Sequence, residues 1–498
     1  MKILKLLNQD FLEQISYLIN RSFQEGIFPT SLKISKVVPV FKNKGSPLDV
    51  SNYRPISLLS NIEKIYEKAA YSRVVNFLNR FDQIYSKQFG FRKAHSTVDT
   101  LISITERIRE RLDKREFACG VFVDLQKAFD TVDHEILISK LNHYGIRGTE
   151  NSWFKSYLSG RSQFVTISNT SSNPKPVRHG VPQGSVLGPL LFLIYINDLH
   201  YSIRKSETYH FADDTHLLSF AETVWSLCGR VNADLRVLVS WLKANKISLN
   251  ASKTEFVIFR SPWKRLDSIP RLKLAGKVLT PSKWVKYLGV HLDEHLIWKH
   301  HVSTIAAKLR RANGAISKIR HYAPTKTLLN VFHAIFMSHV RYAAQIWALC
   351  DNTTTHRIQV LQNTAIRLMT FNGPRVSATP LLANFELLNV FDQVKVMNIA
   401  YLHRYFNANL PTESLQSLKF EKTQHPTETR DKFIELIFRP NVNTTTFGLN
   451  SFTRVSSNQW NELQRNHIDT KLSDIEYKEL KALSFKFYLD KYVNANST

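Results

Sequence analysis

Three aspartates in two short stretches have the surroundings to hold divalent cations. In Tyr209-His210-Phe211-Ala212-Asp213-Asp214-Thr215-His216-Leu217-Leu218, two adjacent carboxylates sit at a hairpin-like turn between apolar runs. Adjacent aspartates repel each other unless a positive charge lies beside them. By itself such a pair is more simply a solvated turn, where aspartate is common. A second stretch shifts that balance: Val121-Phe122-Val123-Asp124-Leu125 is an apolar strand carrying a lone aspartate at its end. A carboxylate in a buried sheet needs a partner, and a cation shared with Asp213 and Asp214 would provide one. Two magnesium ions ~4 Å apart can activate a hydroxyl and stabilise a departing pyrophosphate. All-oxygen ligands suit magnesium, with manganese as the alternative ion.

The elements that must position these groups are legible as periodicities. Leu4, Leu7, Phe11, Ile15, Leu18 and Ile19 lie on one face of a helix over residues 1–24, which Gly26 and Pro29 close. A strand is predicted from Ile34 to Phe41 and a helix from about Asn61 to Arg80. Ser96 and Asp99 make a capping-box-like start for a helix reaching about Arg115. Short buried strands then alternate with helices. Strands are predicted at Cys119 to Leu125, Phe164 to Ser168 and Lys253 to Phe259, with a hairpin from Tyr209 to Phe220. Helices are predicted at Ser185 to Leu199 and Val224 to Asn245. This mixture predicts an α+β sheet domain with helices on one face. Beyond about residue 296, Ile305, Leu309, Ile316 and Ile319 keep helical spacing, and a mostly helical remainder follows.

Composition narrows the partners. The chain has 67 Lys and Arg against 41 Asp and Glu, a formal charge of +26 in 498 residues. That excess favours polyanions, because each phosphate neutralised releases condensed counterions. Nucleic acid leads, with a membrane surface as the other candidate. Length alone suggests roughly two to four domains. Cys119, Cys228 and Cys350 form no Cys-x-x-Cys pair, which argues against a disulfide framework or a zinc finger. The start lacks the sustained apolar core of a signal peptide, and the run from Val186 to Ile196 is too short to span a bilayer. A soluble, intracellular protein of nucleus and cytoplasm is expected.

The chain resembles the reverse transcriptases of non-LTR (LINE-type) retrotransposons, most of all the jockey-like elements of animals. The residues carrying the resemblance are Asn52-Tyr53-Arg54-Pro55-Ile56-Ser57, Gly90-Phe91-Arg92, Phe122-Val123-Asp124-Leu125-Gln126-Lys127-Ala128-Phe129-Asp130, Gly180-Val181-Pro182-Gln183-Gly184-Ser185, Phe211-Ala212-Asp213-Asp214, Asn250-Ala251-Ser252-Lys253-Thr254 and Tyr287-Leu288-Gly289. Any one block is weak, whereas seven in order are specific. The family usually has tyrosine where Phe211 stands.

The resemblance implies a right-hand polymerase fold and a role for each matched residue. Asp124, Asp213 and Asp214 would hold two metal ions. Phe129 would be a steric gate against the ribose 2′ hydroxyl, beside Leu125. Gln183 and Gly184 would line the nucleotide pocket or the template base beneath it. Arg54 would hold the triphosphate, with Lys42 and Lys44 as lesser helpers. Lys253 would donate a proton to the leaving group. Arg92 would touch the template backbone, and Tyr287, Leu288 and Gly289 would grip the primer. Lys308, Arg310 and Arg311 on thumb helices would follow the duplex by phosphate contacts. Asp130 and Asp133 read instead as helix-start carboxylates.

These matches divide the chain into an N-terminal helical extension over 1–33, fingers and palm over 34–295, a helical thumb over 296–370, and a mostly helical region of unassigned role over 371–498. The expected activity is RNA-directed DNA synthesis, with an RNA template, a DNA primer and deoxynucleoside triphosphates as partners. Only about 33 residues precede the first matched block, so endonuclease activity is expected from another domain or protein. The competing reading is an inactive RNA-binding remnant of a mobile element.

Overall fold

The structure, a computed structural model, describes residues 8–266, 270–349, 351–407, 447–467 and 471–494, with scattered positions between 410 and 444. Helix α1 (Gln9–Glu25) starts where the Asn8 side chain accepts the Phe11 N–H, and it stops at Gly26 with φ 66°. Of its expected apolar face, Ile19 is buried, Ile15 half-buried, and Phe11 and Leu18 exposed. Leu4 and Leu7 lie outside the described residues, as does Cys350.

A first sheet gathers β1 (Ile34–Phe41), β2 (Tyr53–Leu58) and β5 (Ser162–Ile167), with two-residue strands β6 (Thr170–Ser171) and β7 (Lys175–Pro176) on β5. The central sheet is antiparallel in the order β11 (Glu255–Phe259), β3 (Phe117–Val123), β9 (Asp214–Ala221), β8 (Glu207–Phe211). Beside it β4 (Leu125–Gln126) pairs with β10 (Ser248–Leu249). Two further hairpins follow: β12 (Leu272–Leu274) with β13 (Lys277–Leu279), and β14 (Trp284–Tyr287) with β15 (Val290–Asp293).

Helices cover both faces of the central sheet, which corrects the expectation of one. Side chains alternate across a strand. Ala118 and Phe122 of β3 therefore join a core with Leu101 and Ile108 of α3 (Thr97–Asp113) and with Leu309 of α9 (Lys299–Ile319). Cys119, Val121 and Val123 join a second core with Phe192 of α6 (Leu187–Ile196) and Leu235 of α8 (Val224–Ala244). All seven residues of β3 are buried, as a strand sandwiched between two layers must be. Helices α2 (Asn61–Arg80), α4 (His134–His143) and α5 (Gly148–Leu158) add to the second core. The helix expected from Ser185 to Leu199 divides into α6 and the short α7 (Leu199–Ser202).

The described residues beyond 296 are mostly helical, and their core is continuous with one face of the central sheet, reaching Trp460 and Tyr488. Two carboxylates of α3 fasten the last part of the chain. Glu106 accepts the Phe452 and Thr453 N–H groups at 2.7 and 3.1 Å and the Thr453 hydroxyl at 2.7 Å. Asp113 accepts the Asn443 and Thr444 N–H groups at 2.9 and 2.8 Å. The first set caps the helix Phe452–Asn466, where unpaired N–H groups and the helix dipole favour an anion. Among the described residues, no helix is long and apolar enough to cross a membrane.

Candidate active site

The hairpin β8–β9 turns through Ala212 and Asp213, with Phe211 paired to Asp214. Because β9 also pairs with β3, Val123 lies opposite Thr215. Asp124, the next residue, is thereby delivered to the hairpin's tip. Ala212 has φ 58°, a conformation that a side chain disfavours.

What holds this turn is Gln88, buried in the segment that precedes α3. Its Oε1 accepts the Ala212 N–H at 3.1 Å and the Gly90 N–H at 3.0 Å. On either side the Phe89 N–H donates to the His210 carbonyl and the His210 N–H to the Lys87 carbonyl, each at 2.9 Å. The strap lies so close that a Cβ on Gly90 would stand 2.2 Å from the Ala212 nitrogen. Arg92 belongs to this strap: its Nη1 donates to the carbonyls of Tyr85 and Gln88, both at 3.1 Å. Gln88 was not singled out from the sequence. Its one local signal is a lone amide among aromatic residues just before Gly90.

Asp124 is anchored from the other side. Its N–H donates to the Thr254 hydroxyl at 3.4 Å, and its carbonyl accepts the Asn250 N–H at 2.9 Å. The Asn250 to Thr254 turn thus fixes both the aspartate and Lys253, which is exposed.

Phe129 is half-buried, its ring stacked 4.7 Å from Phe192 and edge-on 6.1 Å from Phe91. Phe91 follows Gly90, so this wall adjoins the aspartate hairpin. The Gln183-Gly184 loop braces the wall. Gln183 Nε2 donates to Asp130 at 2.8 Å, the Gln183 carbonyl accepts the Ser57 N–H at 2.7 Å, and the Val181 N–H donates to the Phe129 carbonyl at 2.9 Å. Gly184 has φ 126° and lies against Ser57, whose carbonyl a Cβ would meet at 2.5 Å. Asp133 does cap α4, accepting the Ile136 N–H at 3.1 Å. Asp130 does not start a helix but receives Gln183 instead. Arg54, on β2 with Ser57, is exposed and makes no side-chain hydrogen bond or ion pair among the described residues. Lys42 is engaged with the Ser51 carbonyl at 2.8 Å.

Tyr287 ends β14, and Leu288 and Gly289 form the turn with φ 42° and 80°, the double left-handed geometry of a tight type I′ hairpin. The Tyr342 hydroxyl, from the helical region, donates to the Leu288 carbonyl at 2.6 Å. Nothing in the sequence marks that contact. The Tyr287 hydroxyl is buried without a partner among the described residues. Burial and then the Asp214 charge push its pKa upward. Lys308, Arg310 and Arg311 are exposed on α9.

Electrostatics at the hairpin tip describe an unbalanced negative charge. Burial and the Asp124 charge raise the Asp213 pKa, against the pull of a main-chain N–H. Burial, then Asp213 and Asp124, push Asp214 up to about 6, although its side chain keeps solvent contact. The hairpin's histidines cannot offset this: burial lowers His210 to about 3 and His216 well below its usual range. Among the described residues no three Asp, Glu, His or Cys side chains close into a metal cage. The set fits magnesium that arrives with phosphate oxygens of its own, since this ion is commonly held by one or two carboxylates plus substrate.

The Asp214 shift has a testable sign. Between about pH 4, where a free aspartate titrates, and about pH 6, the folded state keeps a proton that the unfolded chain has lost. The group's contribution to stability is full below that window and is lost as pH rises through it. In chelator, Asp214→Asn should be more stable than the parent at neutral pH and equal to it in acid. Denaturant titrations at both ends check this, and equal stability at neutral pH would show that the carboxylate carries no such penalty.

Residues 41–292, just over half of the chain, match the reverse transcriptase (RNA-dependent DNA polymerase) family. The chain belongs to the reverse transcriptase family. Its expected likeness to jockey-type elements is borne out among relatives. It is 31% identical over 438 residues to "Probable RNA-directed DNA polymerase from transposon BS" of Drosophila melanogaster, covering 82% of this chain and 47% of that protein. To "RNA-directed DNA polymerase from mobile element jockey" of the same fly it is 28% identical over 391 residues, covering 76% and 41%. This reverse transcriptase-family chain thus spans less than half the length of these relatives. Among solved structures, apo telomerase from Candida tropicalis is similar at TM-score 0.41 and 10% identity, covering 73% of this chain and 63% of that one.

Proposed function

We propose that the chain is an RNA-directed DNA polymerase of a non-LTR, jockey-like retrotransposon, extending a DNA primer on an RNA template. The observation that carries this reading is the meeting of Asp124, Asp213 and Asp214 at one tip of a rigid sheet, with their negative charge unbalanced, beside the Phe129 wall.

Asp124, Asp213 and Asp214 would hold two magnesium ions, or manganese. When bound, such ions activate the primer 3′ hydroxyl and stabilise the leaving pyrophosphate. The chain's own groups do the rest. Arg54 offers a free guanidinium fork to the triphosphate. Lys253, fixed by the turn that anchors Asp124, gives a proton to the pyrophosphate as it departs. Leu125 and Phe129 floor and limit the sugar pocket, and Gln183 and Gly184 hold its shape through Asp130 and Ser57. The turn at Tyr287, Leu288 and Gly289 seats the primer end, while Lys308, Arg310 and Arg311 follow the duplex backbone. Arg92 acts through the strap beneath the hairpin.

Incubation of the folded chain with RNA template, DNA primer, deoxynucleotides and magnesium should give primer extension. Binding of the hybrid without elongation would support an inactive remnant instead. Phe129→Ala removes the ring that bounds the sugar, so discrimination against ribonucleotides should fall by roughly 10- to 200-fold, the range for one apolar group in a pocket. Single-nucleotide incorporation of ribo- against deoxynucleotide reads this directly. Unchanged selectivity would place the gate elsewhere.

A further inference from the structure

The end of the central sheet remote from the aspartates carries a cavity of about 620 Å³. It opens beside Ala221, at the far end of β9 from Asp214, a separation of roughly 25 Å at the usual strand rise. Four cations line it: Arg111, Arg204, Lys205 and Arg230. The side chains of Arg204 and Lys205 are exposed, with no hydrogen bond or ion pair among the described residues. Arg230 spends one donor on the Phe220 carbonyl at 2.7 Å. Arg111 pairs at 3.4 Å with Glu116, and its Nε is buried without a partner, as is Ser206 Oγ on the same wall. Of the other lining carboxylates, Glu207 is neutralised by Arg107 at 2.6 Å and Lys87 at 2.9 Å, while Glu222 is exposed. Among the lining groups it is the exposed, unpartnered cations Arg204 and Lys205 that phosphate oxygens can reach.

Two exposed tryptophans lie at this end of the sheet, outside the cavity lining itself. Trp225, between the lining residues Thr223 and Ser226, is 85% exposed. Trp263 is 89% exposed. Its neighbour Lys264 donates to the main-chain carbonyl of Arg115 and, at 3.2 Å, to that of Glu222, which ties Trp263 to the same end of the sheet. Cations that follow a backbone, interleaved with aromatic platforms on which bases stack, are how single strands are bound without sequence preference.

We propose that this end of the sheet binds single-stranded nucleic acid, with phosphates in the cavity and bases on Trp225 and Trp263, separately from the catalytic cleft. The test uses the full chain with its cleft saturated by an unlabelled hairpin primer-template. A short labelled oligo(A) strand is then titrated, as RNA in one arm and as DNA in the other. Arg204→Glu combined with Lys205→Glu should weaken binding about tenfold or more and flatten the salt dependence by roughly 1.4 in log-log slope, two phosphate contacts' worth. Trp225→Ala combined with Trp263→Ala should weaken it about thirtyfold or more with the slope unchanged. A loss in either arm supports the site and names the strand it prefers. Affinities within about twofold of the parent for both variants and both strands overturn it. Extension of the hairpin primer reads the cleft independently, so failure of one reading leaves the other standing.

Discussion

Gly90→Ala is expected to reduce primer extension by roughly 100-fold or more, although Gly90 carries no reactive group. The added methyl would stand 2.2 Å from the Ala212 nitrogen and 2.9 Å from the Phe211 carbonyl carbon. Both are backbone atoms of the hairpin, so relief requires the strap and the hairpin to part. Parting them stretches the Gln88 bridge and the main-chain bonds at His210. A shift near 1 Å in a reacting group is enough for about a hundredfold loss. Overpacking of this kind also costs about 1–3 kcal/mol of stability. Steady-state extension, alongside hybrid binding and thermal unfolding, separates these effects. A variant that folds and extends at nearly the parental rate would show that the strap does not set the hairpin's position.

Asp124→Asn should lower extension further, by about 10³-fold or more, if the aspartate supplies several kcal/mol of transition-state stabilisation through bound cations. The same change should not weaken the fold in chelator. Asp124 is one cause of the raised pKa values at Asp213 and Asp214, so its neutralisation relieves like-charge repulsion. Stability at neutral pH should hold or rise while activity disappears, the exchange of stability for function that catalytic clusters show. Loss of stability and activity together would indicate that Asp124 is chiefly a structural residue.

Much of the scaffold was legible because its signals are local. The strand Ile34–Phe41 and the helix Asn61–Arg80 fall where periodicity placed them, and the aspartate hairpin needed only its two apolar arms and a turn. The two-faced burial of β3 was also written in the chain: Phe117 to Val123 is an unbroken apolar run with no polar alternate, the pattern of a strand covered twice. Reading it as one-faced missed that cue.

Contacts made through space were not legible. Gln88 reaches Ala212 across 124 positions and Tyr342 reaches Leu288 across 54, and neither residue belongs to a pattern that repeats nearby. Arg92 shows a related limit. The resemblance implies a template-backbone contact for it, and what the fold adds is that its Nη1 donates to the Tyr85 and Gln88 carbonyls. A basic residue's charge can be read from its letter, but the acceptor it finds depends on the fold.

Helix α3 has one further implication, for how such a chain can change over evolutionary time. One side of α3 packs on the central sheet, while Glu106 and Asp113 hold Thr453 and Thr444 from the distal part of the chain. The distal helices are therefore not an interchangeable module. A recombination event that brought in a foreign distal segment would leave two carboxylates on α3 without their partners, in a wall that the aspartate strand also leans on. Substitutions at 106, 113, 444 and 453 should be inherited as linked sets.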